Sequence, residues 1–595
     1  MSILKCFLLF NFFLILISYL PHFKLKYQEF SFFNFVLNLV FNIYFLVLII
    51  SLFYTKFNTI FISTIPIFIY LIYIIRNKIE LVKWNIEIKI NYVGTLLFVA
   101  NLVFFLKLAF MYQGSGDFIK IPHNDYVFYA KISHFFINYG KESFVLSVNA
   151  ENIPYHYFEI WLNCFFIQFG LNSVNSLLLV VYPLIFTLCI VLSIALIKTL
   201  SSEPSRIVLF CFSVFLLQLF YIPFIYDKIP FLNEASSFLV NGWIYQKLSI
   251  IYLMLLLAIS IYRYYGINAF LIVISFFISF YGSLIFAVLG ILSMGILLKV
   301  LGQNVIKWYP LIMIAISVAL FQVFYTINGY SGDFVPKIDF LFLKTAFNIV
   351  IGTIIRLLIF LLPFLVFILL IPFNKLKLIV VKHQIVILIF LSGVFASLFG
   401  WAIMHKQVDS VQVFTNFSIP FFCIVLSLFF FKLDYRINVS FLLLTLYFNH
   451  YKYTYSSNLQ IVKNEKSIFE KLNRGGYIKN KQEYSNPFFI NPYFSNPMNE
   501  IFLINSSIQL YDLSISETEF INPTVQGLIS FHKQRNELFN FSNVNKIYGV
   551  GAKVKFIKQN KIQFLIIPKD YLLPLELQKI FYKKKMFESN VVWYK

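Results

Sequence analysis

The sequence is dominated by apolar runs that are each long enough to cross a lipid bilayer as an α-helix. A spanning helix needs about 20 apolar residues, because the hydrocarbon core is about 30 Å thick and each residue advances a helix by about 1.5 Å. We trace 14 such runs when the long region between Ile267 and Leu301 is split at 281–283, and 13 without that split. The runs begin near Ile3, Ser31, Thr59, Tyr92, Ser176, Ile207, Ser249, Ile267, Ser283, Trp308, Ala346, Gln384, Val413 and Asn438.

Composition supports the membrane interpretation, since 60% of the 595 residues are hydrophobic and only 12% are charged. Soluble domains carry about 25% charged residues, and a water-soluble core could not absorb so much apolar surface. The net charge of +22 would favour nucleic-acid binding in a soluble protein. Here many basic residues lie in short loops between apolar runs, and no nucleic-acid motif is present. We therefore predict the bilayer as a partner and no nucleic acid.

The distribution of lysine and arginine predicts an orientation. With both termini outside and 14 spans, 16 basic residues fall in short inside loops and 9 in the longer outside loops. Cytoplasmic loops of membrane proteins show the same excess. We predict an integral protein of a bacterial cytoplasmic (inner) membrane, whose acidic and histidine-bearing loops face outward together with the C-terminal domain.

The composition becomes polar from about Tyr451. We therefore predict a transmembrane domain at 1–450 and a soluble extracytoplasmic domain at 451–595. The predicted fold class is an α-helical polytopic membrane protein with about 13–14 transmembrane helices and a small C-terminal α/β domain. In that domain, predicted turns lie at Asn486-Pro487, Asn491-Pro492 and Asn496-Pro497, predicted strands at Ile501–Ile504 and Ile562–Ile567, and predicted helices at Thr524–Leu538 and Pro574–Tyr582.

The first long external loop, at about 112–175, carries the most informative residues. Asn124 is a candidate N-cap after Pro122, so a helix is predicted to begin there. Asp125 would lie in its first turn, where backbone N–H groups favour a carboxylate. The predicted apolar face of this helix, which would lie on the membrane surface, consists of Phe128, Ile132, Phe135 and Phe136.

This loop resembles the first external loop of the GT-C glycosyltransferases, such as the aminoarabinose transferases and protein O-mannosyltransferases. The residues that carry the resemblance are Asp125, Tyr129-Ala130, Ile132 and Gly140. Downstream, the segment 153–162 (IPYHYFEIWL) is similar to the proline–aromatic–tryptophan segment of those enzymes, and Phe169-Gly170-Leu171 fits the stretch that follows. The tail, with the strand-like KIQFLIIP at 561–568, resembles their closing α/β domain more faintly.

The resemblance implies a membrane glycosyltransferase that uses a polyprenyl-phosphate-linked sugar donor and a sugar, lipid or protein acceptor. Asp125 would be the general base. In the family the acidic residue is often half of an Asp-Glu pair, whereas Tyr126 follows Asp125 here, so the need for a divalent metal stays open. Candidates for a second carboxylate are Asp117, Glu151 and Glu159. The leaving lipid phosphate needs cations, for which the candidates are Lys228, Lys247, Arg356, His405 and Lys406. Two further loop candidates are His123 and His156.

Two other classes of protein remain as alternatives. A polysaccharide polymerase or ligase also has many spans and a large external loop. A transporter or lipid flippase without catalysis would show internal repeats and charged residues near the membrane midplane. No repeat is visible, and apart from Arg356 the charged residues gather on the outside rather than at the midplane. These features favour an enzyme of cell-surface polysaccharide or glycolipid assembly.

Overall fold

The computed structural model describes part of the chain, and all structural statements concern that part. The described residues are 2–25, 30–54, 79–81, 86–111, 129–130, 133, 137, 158–171, 173–198, 247–279, 285–300, 305–327, 347–348, 351, 369, 372–382, 391, 394, 398, 486–489, 551, 554–555, 558, 562–568, 573–586 and 590–595.

The described part of the chain is mostly helical. The helices are α1 (Ser2–Ser18), α2 (Phe32–Tyr54), α3 (Ile86–Met111), α4 (Phe158–Gln168), α5 (Ser173–Ser176), α6 (Tyr182–Lys198), α7 (Lys247–Tyr265), α8 (Ile267–Ser279), α9 (Ile285–Val300), α10 (Trp308–Ile327), α11 (Phe373–Lys382) and α12 (Leu575–Gln578). A π-helical turn, Leu177–Val181, joins α5 to α6. The strands are β1 (Phe23–Leu25), β2 (Ile79–Leu81), β3 (Asn486–Phe489), β4 (Ile562–Pro568), β5 (Lys583–Met586) and β6 (Asn590–Tyr594).

Eight of the predicted apolar runs coincide with described helices, namely α1, α2, α3 and α6 to α10. By length and composition, Ile90–Ala109 and Leu177–Lys198 could each cross a bilayer, and shorter apolar helices lie at Ile3–Ser18, Phe32–Val47, Ile291–Val300 and Trp308–Leu320. The runs near Thr59, Ile207, Val413 and Asn438, and nearly all of the runs near Ala346 and Gln384, fall outside the described residues. The polytopic prediction is thus confirmed in part.

Helices α1 and α3 pack through aromatic side chains. The Phe104 ring lies 5.4 Å from the Phe7 ring and 5.7 Å from the Phe10 ring. Phe13, further along α1, lies 4.8 Å from Phe166 of α4. Burying such rings stabilises the contact both by the area removed from the surroundings and by ring–ring attraction of about 1 kcal/mol. The large phenylalanine content therefore fills the space between the helices.

The loops predicted to face the cytoplasm lie together. β1 follows α1 and pairs antiparallel with β2, which precedes α3, so that Lys24 lies opposite Glu80. The last helical residue of α6, Lys198, places its Nζ 5.3 Å from the ring of Phe32 at the start of α2. These contacts put the end of α1, the start of α2, the start of α3 and the end of α6 at one end of the bundle. Alternating helix directions, as the span assignment requires, produce this arrangement.

The split of the long apolar region is confirmed by a contact between distant residues. The Asn268 side chain, at the start of α8, donates to Val305 O at 2.9 Å and accepts from Lys307 N at 2.9 Å. One straight helix from Asn268 to Val300 would separate its ends by about 48 Å, since each residue rises about 1.5 Å. The chain must reverse between these points, so the region forms two helices, α8 and α9, rather than one.

Asn38 joins β1 to α2 inside the core. Its Nδ2 donates to Phe23 O at 2.7 Å and to Asn34 O at 2.6 Å, and its Oδ1 accepts from Phe23 N at 3.0 Å. The side chain is 7% exposed. Both polar groups of the Phe23 backbone are therefore satisfied by one amide.

Replacing Asn38 by leucine is expected to lower the free energy of unfolding by about 1–3 kcal/mol, the cost of leaving buried polar groups without partners. Thermal unfolding in detergent, followed by intrinsic fluorescence, measures the change. The matched control is Asn42→Leu, because Asn42 makes only a 3.5 Å bond to Pro21 O. We expect the control to shift stability by no more than about 0.5 kcal/mol. Equal shifts for the two variants would contradict the role of Asn38.

The C-terminal strands form one sheet in the order β3-β4-β6-β5, with β3 and β4 parallel and the other pairs antiparallel. The predicted strand at Ile562–Ile567 is confirmed as β4. The turn predicted at Asn486-Pro487 is wrong, since these residues belong to the edge strand β3, where the register shifts between Asn486 and Phe488. Proline lacks an N–H group, so an edge position beside an irregularity suits it.

The helix predicted at Pro574–Tyr582 is shorter than expected. It consists of the single turn α12, and the backbone N–H groups of Ile580 and Phe581 close the end on Leu577 O. Phe581 is wholly buried and draws the chain inward before β5 begins. The predicted turns at 491–492 and 496–497, the strand at 501–504 and the helix at 524–538 lie outside the described residues.

Candidate site where the first loop meets helix α4

A helix of the first loop packs against α4 through a buried serine. Tyr129, Ala130, Ser133 and Ile137 are helical, which confirms the predicted helix for this part of the loop. Ser133 Oγ donates to Tyr129 O at 2.9 Å, one turn back on its own helix, and lies 3.3 Å from Ile160 O of α4. The serine is fully buried, so this contact is made inside the protein.

Asn163 extends the same network from α4. Its Nδ2 donates to Ser133 Oγ at 3.1 Å and to Ser173 O at 3.1 Å. Ser173 begins α5, which leads through the π-helical turn into α6. One amide thus connects the first-loop helix, α4 and the entry to a membrane helix. Ser133, Asn163 and Ser173 are all buried. If one of these hydrogen bonds is broken, no water is present to take the place of the lost partner.

Cys164 adds a third bond between the same two segments. Its Sγ donates to Ser133 O at 3.3 Å. Burial raises the pKa of the Cys164 thiol well above its ordinary value, so the group stays protonated and remains a donor at neutral pH. The serine is held from both its side chain and its carbonyl.

The two segments that carry the family resemblance both have buried residues in this unit. Tyr129 and Ala130 from the first motif and Trp161 from the second are all fully buried. Residues spaced by four on a helix share a face, so Tyr129, Ser133 and Ile137 form one stripe. The Tyr-Ala pair therefore packs within the protein, and the described stripe of this helix is covered by protein rather than by the membrane surface. The predicted apolar face at 128, 132, 135 and 136 lies outside the described residues.

Glu159 lies beside the same network, in the first turn of α4, where the helix dipole favours a carboxylate. It is fully buried. The ring of its neighbour Phe158 lies 4.4 Å from the ring of Tyr44 in α2, so Glu159 lies where α4 packs against α2.

The other predicted site residues are not brought together by the described structure. Lys247 is the first residue of α7. The base candidate, the other carboxylate candidates, the remaining phosphate candidates and the loop histidines lie outside the described residues: Asp125, Asp117, Glu151, Lys228, Arg356, His405, Lys406, His123 and His156. Within the described ranges, no group of three or more His, Cys, Asp or Glu side chains could hold a metal ion.

Ser133 and Asn163 have no sequence signal that predicts their contact. They are polar side chains in apolar surroundings, and their separation of 30 positions leaves no local pattern that pairs them. Lys107, near the outer end of the apolar run before the first loop, is predicted from the sequence to extend its ammonium group to the interface. It is instead buried, with 3% of its surface exposed, so this prediction is wrong. An ionisable residue inside an apolar span is usually functional, and Lys107 is therefore a further candidate.

Neither a protein-family model nor a curated protein matches the sequence. Solved structures similar to the chain include ArnT from Cupriavidus metallidurans in the apo state, with TM-score 0.44, 13% identity, and coverage of 84% of this chain and 97% of that one. The same protein bound to undecaprenyl phosphate gives TM-score 0.41 and 12% identity over 85% of this chain and 98% of that one. The Archaeoglobus fulgidus oligosaccharyltransferase in complex with Zn and sulfate gives TM-score 0.33 and 12% identity, covering 79% and 68%.

These structures are of the kind that the first-loop residues led us to expect, membrane glycosyltransferases with a GT-C-like fold. At such TM-scores and identities the likeness carries no conclusion about individual residues or about activity.

Proposed function

We propose that the chain is a membrane glycosyltransferase that moves a sugar from a polyprenyl-phosphate-linked donor to an acceptor at the outer face of the membrane. The observation that carries the proposal is the junction of the first-loop helix with α4. The two segments that resemble the GT-C enzymes are distant in sequence, yet Ser133 and Asn163 bind them together and Tyr129 and Trp161 are buried there. Their shared packing supports a common role.

In this proposal the junction positions Asp125. Asp125 lies four positions before Tyr129 in the sequence. On the predicted helix this separation is about one turn, or about 6 Å along the axis. With the Tyr129 stripe fixed on α4, the first turn of that helix is held at a constant place beside the membrane. A general base must stay within hydrogen-bond reach of the proton that it removes, so a fixed support is what the chemistry needs.

The reaction then proceeds by displacement at the anomeric carbon. The Asp125 carboxylate accepts the proton of the acceptor hydroxyl while the acceptor oxygen forms a bond to the anomeric carbon. The bond from that carbon to the phosphate oxygen breaks through an oxocarbenium-like transition state, and polyprenyl phosphate leaves. Cationic side chains stabilise the charge that develops on the phosphate, for which we propose Lys228, Lys247, Arg356, His405 and Lys406.

Glu159 is fully buried in the first turn of α4. It remains, with Asp117 and Glu151, a candidate for a second carboxylate at the reacting centre, where one is needed. His123 and His156 remain candidates for contacts to the donor or acceptor.

The class of reaction is tested with the purified full-length chain in nanodiscs. The protein is incubated with radiolabelled polyprenyl-phosphate sugars extracted from bacterial membranes, together with a mixture of glycolipid and polysaccharide acceptors. We expect labelled sugar to move to an acceptor and unlabelled polyprenyl phosphate to accumulate in equal amount. Recovery of all the label on intact donor would overturn the proposal, and movement of that donor across the bilayer of sealed proteoliposomes would favour a flippase.

A further inference from the structure

Edge strand β5 of the C-terminal sheet carries three consecutive exposed lysines, Lys583, Lys584 and Lys585. Between positions 573 and 595 the chain has five lysines and two glutamates, so the segment has a net positive charge. The surface formed by β5, Lys579 and Lys595 is called the basic edge below. A charge concentration of this kind attracts an anionic partner.

Aromatic rings hold the ammonium groups of the basic edge in place. Lys583 Nζ lies 5.3 Å from the Tyr582 ring and 5.9 Å from the Tyr594 ring. Lys584 Nζ lies 5.4 Å from the ring of Trp593, its cross-strand partner. Such cation–π contacts reduce the freedom of long side chains before any partner binds.

Exposed apolar side chains accompany these charges. Leu575, Tyr582 and Met586 expose 72%, 67% and 52% of their surface. Lysine, tyrosine and short apolar side chains together are the mixture that proteins present to the interfacial region of a bilayer, where the ammonium meets headgroups and the apolar part lies deeper.

The lysines of β5 disfavour the pairing of this strand with a β-strand from another protein. Among the strands that the structure describes, β5 has a neighbour only on the β6 side of the sheet. Lysines on an edge strand hinder pairing with another strand, because a second chain would bury or crowd the charges. A surface of anionic headgroups makes no such demand, and the apolar helices of the same chain keep a bilayer within reach.

We propose that the basic edge docks on the anionic phospholipid headgroups of the bilayer in which the chain is embedded, and so fixes the C-terminal sheet against the membrane. The inference needs the helices to be in a bilayer but does not rest on the transferase activity. Successive side chains of a strand point to opposite faces, so Lys583 and Lys585 share one face of β5. Each basic residue at an anionic surface shifts the docking equilibrium by about fivefold, so these two lysines shift it on the order of 25-fold.

The test is amine labelling of the full-length protein in nanodiscs of phosphatidylglycerol or phosphatidylcholine, with mass-spectrometric quantification at Lys583, Lys584 and Lys585. Lys558, also exposed, is the internal reference. We expect labelling of β5 to be at least about tenfold slower in the anionic discs. High salt should restore the rate, because about 1 M salt shortens the screening length to about 3 Å.

Equal rates in the two kinds of disc would overturn the proposal. Protection in both kinds of disc would also overturn it, because that result means that protein, including an acidic partner, covers the edge. As a second measurement, hydrogen exchange across residues 573–594 compares a triple Lys→Glu variant at 583–585 with the matched triple Lys→Arg variant. Protection specific to anionic discs should persist with arginine and disappear with glutamate, and loss in both variants would contradict a charge-based contact.

Discussion

Replacing Asp125 by asparagine is expected to lower the rate of sugar transfer by at least about 100-fold, with little change in the amount of folded protein. General-base catalysis typically contributes about 100- to 10,000-fold, and an amide of nearly the same shape cannot accept the proton. The measurement is transfer from the lipid-linked donor at saturating donor and acceptor. Because the substitution keeps the size of the side chain, donor binding should change much less than the rate.

The matched controls are Asp117→Asn and Glu151→Gln, which remove other carboxylates of the same loop. If Asp125 is the base, neither control should reproduce the full loss. Transfer at the wild-type level by the Asp125 variant would refute the assignment of the base while leaving the class of reaction untouched. A large loss in one control would identify that residue as a second carboxylate of the reacting centre.

Replacing Asn163 by leucine should also cause a large loss of transfer, together with a fall of about 1–3 kcal/mol in the free energy of unfolding. The substitution removes the donor that Ser133 Oγ and Ser173 O share, and leaves these buried groups without it. The first-loop helix would then be free to shift on α4. A displacement of about 1 Å of a catalytic group can lower the rate by about 100-fold.

Two measurements separate this positioning role from general destabilisation. The Asn38→Leu variant disturbs a buried amide of similar kind at another place, so it should lose stability yet keep its rate per folded molecule. In a double-mutant cycle, Ser133→Ala and Asn163→Leu should lower the rate by less together than the product of their single effects, because they break one interaction. Fully independent effects on the rate would contradict a shared network.

The helices could be predicted because their signal is local. A run of about 20 apolar residues is visible without knowledge of the rest of the chain, and α1, α2, α8 and α10 begin within one residue of the predicted starts. The short strands could not be predicted in this way. β1 and β2 have three residues each and exist because of pairing between positions 58 apart, such as Phe23 and Leu81.

The C-terminal sheet shows the same limit. A run of three lysines has little strand preference of its own, and β5 acquires its conformation by pairing with Val591, Val592 and Trp593. At Asn486-Pro487 the local preference for a turn is overridden by the neighbouring strand β4.

For the candidate site, the sequence identified segments and missed the way they are joined. Tyr129-Ala130 and Trp161 were selected by resemblance, and they proved to be buried packing residues. The contact of Ser133 with Asn163 could not be predicted, because an isolated serine or asparagine in an apolar helix has many ordinary explanations. Only the folded chain shows that they face each other.

The pairing of β1 with β2 has a consequence for the order of assembly during synthesis. Chains fold from the N-terminus as the ribosome extends them, at about 5–20 residues per second. Strand β1 emerges long before β2 exists, while Asn38 follows Phe23 by only 15 positions and already binds both polar groups of its backbone. The contact between β1 and α2 can therefore form several seconds before Leu81 is synthesised. Because the Asn38 bonds are present in the folded structure as well, the later pairing with β2 adds to this contact and does not replace it.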